Sequence, residues 1–440
     1  MRNFTFGKNF SRCRSLLVAA LAGISLTASA QSVRVFKKIN TDDGYSYEFM
    51  SKAISPNKRY IAGCVSDYIN MAYGVMIYDL QTDTYSIAPD ADFMGSSLDA
   101  VTDDGVAVGY NGPAVKYSIS GETTALDTPE GYGAKAMAVS DDASVVAGEY
   151  YSLSDYQAHA CVWVDDEFTP LPEPTAEEAG ISVEGSEALY INSDGSLIVG
   201  TLVDNLSTGA FVAWRLQEDG SYVCDMIYKD YYDPMGVDPE RPYTQFTPTG
   251  LSRNGRYAAM MVGQMSTMQY MARYDMETGE LKTYVPDGSG DIPENTLIEP
   301  GGVTNDGSVL CTIMLGSVWS TVMNGGIWYD GAEYPVIISS LSPELGALAE
   351  LDSYGGYQPT GITPDGTCIT GYGFDADYAY NSYVINLENV STGITKAEAE
   401  AENSAEVARY TLDGRLVSTP VKGVNIVKRA DGSTTKVIVK

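Results

Sequence analysis

Histidine is almost absent from this 440-residue chain, which carries only His159. That excludes Ser-His-Asp and Cys-His machinery built on any other histidine, and no Gly-x-Ser-x-Gly elbow accompanies His159. His159 follows Ala158 and directly precedes a short apolar strand, the setting of a structural or exposed imidazole. Zinc sites made of His and Cys clusters are excluded as well. Cysteine is nearly as scarce. Beyond Cys13 there are five, at 64, 161, 224, 311 and 368, an odd number spread over separate apolar strands. Such spacing is no disulfide framework, and the thiols read as small buried apolar groups.

Basic charge is also in short supply: 27 Lys and Arg stand against 58 Asp and Glu, a net charge of −31. The imbalance is uneven. Residues 1–30 and 404–440 each carry a net +4, which leaves residues 31–403 at −39. A body this acidic repels nucleic acid and anionic membrane, so neither is expected as a partner. Much of the acidity falls in turns, where Asp serves local geometry and solubility.

Long apolar runs are missing. The longest, Leu16 to Leu26, is too short to span a bilayer. It follows Arg2, Lys8, Arg12 and Arg14 and precedes Ala28-Ser29-Ala30, so residues 1–30 read as a secretory signal peptide cleaved before Gln31. No cysteine stands directly after the apolar run, so no lipid anchor is expected.

What the chain does have is a repeated phrase. Its clearest copy, residues 191–200, runs Ile-Asn-Ser-Asp-Gly-Ser-Leu-Ile-Val-Gly. An apolar residue and a Ser, Thr or Asn end one strand. An Asx-Gly-type turn follows, and a β-branched run begins the next strand, usually closing on Gly. Asp-Gly and Asn-Gly suit such turns because both residues tolerate positive φ. The turn residue recurs as Asn57, Asp104, Asp142, Asp194, Asn254, Asp306 and Asp365, a mean step of about 51 residues.

A second phrase follows each first one: a short strand carrying an aromatic, as at Tyr78, Tyr117, Trp163, Trp214, Tyr274 and Trp328. In the seventh copy, residues 383–386, the aromatic is not at that place. Most copies add a turn and a fourth short strand. The unit is strand, Asx-Gly turn, strand, loop, strand, turn, strand.

These paired phrases resemble the secreted β-propellers with degenerate repeats of Bacteroidetes, over roughly residues 33–390. The resemblance implies an all-β fold of seven four-stranded blades within a domain at 31–390. Blades pack on their neighbours, so about 350 residues need no single core. The innermost strands should carry small and β-branched residues, and the aromatics Tyr78, Trp163, Trp214 and Trp328 should pack between blades. Val33 to Ile39 alternates like a strand, whereas the last repeat shows only three. The N-terminal strand is therefore expected to complete the last blade, removing an open sheet edge.

Residues 391–405, with their Ala-Glu alternation from Lys396, have no apolar face and read as a solvated spacer. Residues 406–440 differ in character and read as three short strands with turns. The Asp413-Gly414-Arg415 turn, the Lys422-Gly423 step and the Lys-bearing terminal strand resemble the C-terminal sorting domain of the type IX secretion system. That resemblance implies export across an outer membrane, to the surface or outside, with the secretion machinery as a partner. Without a working tail the protein would remain in the periplasm.

No catalytic residue set and no cofactor motif emerges. Calcium is the one metal with a candidate: Asp287, Ser289 and Asp291 alternate as oxygen ligands, although Ile292 stands where an EF-hand loop needs Gly. More informative are the loops between second and third strands, which in a propeller share a face with the blade-to-blade connections. They are rich in Tyr, Asp, Ser and Asn. Tyr68, Tyr150, Tyr151, Tyr156, Tyr378 and Tyr380 lie on such loops, and Tyr231 and Tyr232 on the longest connection. Tyrosine offers a broad ring with a polar tip, suited to sugars and protein surfaces alike. The expectation is a binding module recognising a glycan or protein ligand through these eight residues. Two other classes stay open. A glycoside hydrolase or lyase would need two converging carboxylates at the propeller mouth. A structural scaffold of the cell envelope would show no shared aromatic face.

Overall fold

The computed structural model describes residues 32–89, 95–154, 156–204, 209–233, 235–236, 238–263, 269–288, 292–317, 320–351, 356–388, 406–411, 415–417, 419, 421–429 and 434–439. The signal peptide read at 1–30 and the spacer at 391–405 lie outside the described residues. Residues 39–228 form one compact unit, and residues 32–38 with those from 229 onward form a second.

The fold class is all-β, built of the four-stranded antiparallel blades of a β-propeller. In the first unit the blades follow chain order. The first pairs Ser46–Ile54, Tyr60–Asp67, Ala72–Asp79 and Thr84–Pro89, with the short strand Ile39–Asn40 added beside Ser46–Ile54. The second pairs Ser97–Val101, Val106–Tyr110, Ala114–Ser118 and Thr123–Ala125. The third runs Tyr132–Val139, Val145–Ser152, Ala158–Val164 and Glu167–Pro170. Gly185–Ile191, Leu197–Val203, Gly209–Leu216 and Tyr222–Asp225 make the next.

The second unit repeats the pattern from Gln245–Leu251 to Leu281–Tyr284 and from Leu297–Val303 to Val336–Ile337. The last repeat supplies three strands, Tyr357–Ile362, Cys368–Phe374 and Tyr380–Asn386. Val33–Phe36 completes it, Val33 opposite Ile385 and Phe36 opposite Ser382. The strand expected to fill the gap therefore does so.

The turn phrase works differently from the sequence reading. Positive φ falls on the residue after the Asx: Lys58, Gly105, Ala143, Gly195, Gly255, Gly307 and Gly366. The Asx itself acts as an acceptor. Asp194 takes the Ser196 amide at 2.9 Å, Asn57 that of Arg59 at 3.0 Å, and Asp142, Asn254, Asp306 and Asp365 make the same bond. The preceding Ser, Thr or Asn closes the loop: Leu197 N–H donates to Asn192 Oδ1 at 3.0 Å and Tyr60 N–H to Ser55 Oγ at 2.9 Å. Both polar positions of the phrase are thus Asx- and ST-turn acceptors. Some turn tips also join neighbouring repeats, as where Asn254 donates to Asn305, 51 residues on.

The Gly that closes the phrase has its own cause. Each innermost strand carries an irregularity in register, between Ser51 and Ala53, Leu98 and Ala100, Ala136 and Ala138, Ala188 and Tyr190, and Pro359 and Gly361. There a strand carbonyl leans onto the facing residue. A Cβ on Gly63, Gly109, Gly148, Gly200 or Gly371 would meet that carbonyl oxygen closer than 3.0 Å. These glycines are demanded by the bulge.

Apolar clusters lie between successive sheets. One joins Ala62, Val75 and Ile77 to Leu98, Val115 and Tyr117, and another joins Val108 and Leu126 to Ala136, Val146 and Trp163. Trp163 and Trp214 are fully buried and reach back to the preceding connection, donating to the Asp127 and Pro172 carbonyls at 2.7 and 2.8 Å. Tyr78 and Trp328 are buried too. The five cysteines are free thiols, with Cys161, Cys311 and Cys368 buried and Cys64 and Cys224 half-buried.

The C-terminal residues form a separate antiparallel sheet in the order Leu416–Val417, Glu406–Thr411, Gly423–Arg429, Thr434–Val439. Four strands thus stand where three were expected, because Leu416–Val417 turns back onto Glu406–Thr411. Asp413 and Gly414 of the sorting-like turn lie outside the described residues. Among the described residues, no helix is long and apolar enough to cross a membrane.

Candidate ligand-binding surfaces

The loops between second and third strands of the first and last repeats are held by their own polar groups. In the first repeat, buried Asp67 accepts from Ser46 N–H at 2.8 Å, from Ile69 and Asn70 N–H at 3.1 Å, and from Asn70 Nδ2 at 2.8 Å. Burial works upward on the Asp67 carboxyl, and these donors outweigh it and hold the group below the usual carboxylate range. The tip they fix carries Tyr68, Ile69 and Met71, with Ile69 87% exposed. Asp375 anchors the last repeat's loop in the same way, accepting from Asp377 and Ala379 N–H and from Asn381 Nδ2.

The corresponding loops of the first, third and last repeats each carry a left-handed residue just before the next strand. Met71 has φ 53°, Tyr156 φ 60° and Tyr378 φ 60°. Glycine or asparagine is the usual occupant of such a position, because a bulky L-residue there crowds the following carbonyl. The side chains are nonetheless large and outward, Tyr156 at 73% and Tyr378 at 64% exposure.

The eight tyrosines singled out above divide into two groups. Tyr68, Tyr156 and Tyr378 present exposed rings. Half-buried Tyr151 stacks on Tyr156 at 6.4 Å and lies beneath the Lys135 ammonium at 5.7 Å. The others are committed to packing. Tyr150 is enclosed by Tyr132, His159 and Phe168 at 5.4, 5.6 and 5.2 Å. Tyr231 donates to the Gly279 carbonyl at 2.9 Å and packs on Phe246 and Tyr274. Tyr232 is 1% exposed and offers no surface, and Tyr380 lies 4.4 Å from Phe374. A tyrosine-rich stretch looks uniform in sequence, whereas alternation along a strand and closure of a connection turn half of the rings inward. His159 is structural, its Nδ1 2.9 Å from a Glu173 oxygen. Of the calcium candidates, Asp287 is exposed and Ser289 and Asp291 lie outside the described residues. Among the described residues no group of three or more His, Cys, Asp or Glu is placed to hold a metal ion.

A second surface was not legible in the sequence. The innermost strands of the first unit, expected to be small and β-branched, also carry Lys52, Asp99, Lys135 and Glu187. Lys135 and Glu149 are cross-strand partners, and Lys135 Nζ lies 3.0 Å from Glu149 Oε1. Glu187, on the innermost strand of the next repeat, feels both charges. Burial, and then the Glu149 charge, push its carboxyl up, with Lys135 working against them. Asp99 sits at the bulge of the second repeat, its carboxylate accepting from Ser97 Oγ at 2.8 Å. Burial raises it against the pull of Ser97, Lys52 and Lys135. Beside Asp99, burial and then that carboxylate push the Tyr190 phenol up to about 12. Signs alternate along the array, from Lys52 through Asp99 and Lys135 to the two glutamates. The signal that could have found it was charged residues in otherwise apolar innermost strands: Lys52 and Asp99 at the bulge residue, and Lys135 and Glu187 two positions earlier in the repeat.

No protein-family model matches the sequence, and no curated protein matches it. Solved structures do resemble it. A puromycin hydrolase aligns at 10% identity with a TM-score of 0.50, covering 87% of this chain and 58% of its own. A structure from an analysis of two prolyl endopeptidases aligns at 12% identity and TM-score 0.51, covering 88% and 55%. The β-propeller domain of the Trilobed protease from Pyrococcus furiosus aligns at 11% identity and TM-score 0.46, covering 77% and 95%. The chain thus spans little more than half of the two hydrolytic enzymes. At these identities the likeness is one of fold.

Proposed function

We propose that this is an exported, seven-bladed β-propeller that acts as a binding module, engaging a glycan or protein ligand outside the cell through tyrosines at its loop tips. The observation that carries the reading is the conformation of Tyr156 and Tyr378. Each is a bulky residue in the left-handed region with its ring in solvent. Folding alone favours Gly there, so the ring is kept at a cost in stability, as at sites under functional constraint. Anchored tips reduce the entropy lost on binding, and tyrosine adds contact area with few rotatable bonds. The leader at 1–30 and the sorting-like residues 406–440 support export to the cell surface or beyond, and the tail is the segment that would meet secretion machinery.

The test is Tyr156→Gly, alone and with Tyr378→Gly, screened on glycan arrays and envelope-protein pull-downs, with and without calcium. The variants should melt no lower than the parent, with a gain of up to about 1 kcal/mol per site, and should lose the ligand the parent retains. Undiminished binding by the double variant would move the site off the tips.

A further inference from the structure

The loop tip of the first repeat stands in solvent with three large apolar side chains. Tyr68, Ile69 and Met71 are all exposed within four residues, and Asn70 between them is uncharged. The tip is held in place. Asp67 takes the amides of Ile69 and Asn70, Tyr68 meets Tyr73 edge-on at 6.1 Å, and the Tyr73 hydroxyl lies 3.7 Å from Met71 Sδ. The same Asp67 carboxylate takes the Ser46 amide at 2.8 Å, which fixes the turn of residues 41–45 beside the tip. Thr41 N–H donates to the Tyr45 carbonyl at 3.0 Å across that turn, and its exposed corner is Asp42 and Asp43. An anchored tip of this kind keeps hydrocarbon in water with no return in folding, and it loses little entropy when it is covered.

The C-terminal sheet presents the matching chemistry. Leu416 is 65% exposed and Val421 is exposed as well, and the residues beside them, Arg415 and Lys422, are exposed cations. Both pairs belong to one end of the sheet. Thr411 N–H donates to the Arg415 carbonyl at 2.9 Å, and Thr411 is the cross-strand partner of Asn425. Buried Asn425 grips Val421, accepting its N–H at 3.1 Å and donating to its carbonyl at 2.6 Å. Residues 404–440 carry a net +4 against −39 for residues 31–403. An acid-edged apolar tip and a base-edged apolar patch attract each other, whereas two tips or two patches would bring like charges together. The acidic body also repels an anionic membrane from the tip.

We propose that separate copies of this chain associate head to tail, the Ile69 tip of one copy seated against Leu416 and Val421 of the next, with Asp42 and Asp43 facing Arg415 and Lys422. Such a contact is heterologous, so each bound pair keeps one free tip and one free patch, and association continues as concentration rises. The proposal goes beyond the binding-module reading and does not use Tyr156 or Tyr378, the residues that carry it.

The experiment is sedimentation velocity on residues 31–440, from about 5 to about 500 μM, the range in which a small, charge-assisted contact becomes populated. The sedimentation coefficient should rise with concentration, and the rise should shrink at about 1 M salt, where charges act over only about 3 Å. Ile69→Ser and Leu416→Ser, both at exposed positions, should each weaken association by about tenfold or more. Reversing the tip edge (Asp42→Lys with Asp43→Lys) should leave a monomer, and so should reversing the patch (Arg415→Glu with Lys422→Glu). An equimolar mixture of the two reversed chains should associate again, because each then offers what the other lacks. Glu218→Lys, exposed on another strand connection, should change nothing. Melting curves identify any variant that fails to fold, and Met71→Ser or Val421→Ser then takes its place. A parent that stays monomeric throughout, or a mixture no better than its components, would overturn the proposal. Association lost in Ile69→Ser but intact in Leu416→Ser would overturn it in favour of tip-on-tip contact. Tip-dependent flotation of a monomeric chain with phosphatidylcholine vesicles would overturn it in favour of a lipid surface.

Discussion

A methyl group on Gly200 would collide with the carbonyl oxygen of Glu187, the residue whose carboxyl also feels the charges of Glu149 and Lys135. The closing glycine of the repeat phrase and the inner-strand charge array thus share one backbone feature, the bulge between Ala188 and Tyr190. That bulge brings the strand carbonyl onto Gly200, and Glu187 lies immediately before the paired residue Ala188.

Gly200→Ala should therefore destabilise the protein by about 3 kcal/mol or more, since the obstacle is backbone rather than a movable side chain. Gly301→Ala is the control: its Cβ would find its nearest neighbour at 3.8 Å, an ordinary contact, and its φ is not in the left-handed region. Chemical denaturation of both variants checks the contrast. Equal stability of the two would mean that the bulge relaxes.

The pairing of Val33–Phe36 with Tyr380–Asn386 closes the last blade with a strand from the other end of the chain. It also buries Val33 in a cluster with Ile385, Tyr383 and Leu348. Removing residues 31–39 should lower the melting temperature sharply, exposing both an apolar face and a sheet edge. Differential scanning calorimetry of the truncated chain decides the matter, and an unchanged transition would show that the strand is dispensable.

Two aspartates should pull stability in opposite directions with pH. Against the upward push of burial, the Arg59 guanidinium, 2.7 Å away, and the Gln81 and Thr82 amides hold Asp79 down to about 2. Its contribution is present above the unfolded value near 3.8 and is lost as pH falls toward 2. Asp79→Asn should cost stability at pH 7 and cost little near pH 2. Asp99 is raised, chiefly by burial. Its ionisation opposes folding, and that cost develops as pH rises from its unfolded value through its raised folded one. Asp99→Asn should match the parent near pH 3 and exceed it at pH 7. Denaturation midpoints of both variants across pH 2–7 test the two signs together.

The primary sequence by itself determined the repeating blade. Asn192, Asp194 and Gly195 specify a turn locally, through hydrogen bonds two to five residues long and one positive φ, and a local code can be read from a local string. It also determined the buried third-strand aromatics, because Trp163 and Trp214 are too apolar for any other place in an acidic chain. The missing strand of the last repeat could be inferred by counting, since an unpaired edge needs a partner. Tertiary structure alone decided which tyrosines face water: Tyr156 and Tyr232 both sit in Tyr- and Asp-bearing segments, and Tyr232, bridged to Tyr243 across its own connection, is the one that is buried. It alone brought Asp99, Lys135, Glu149 and Glu187 together, from three different repeats. Their electrostatics depend on distance through space, and spacing along the chain carries no record of it.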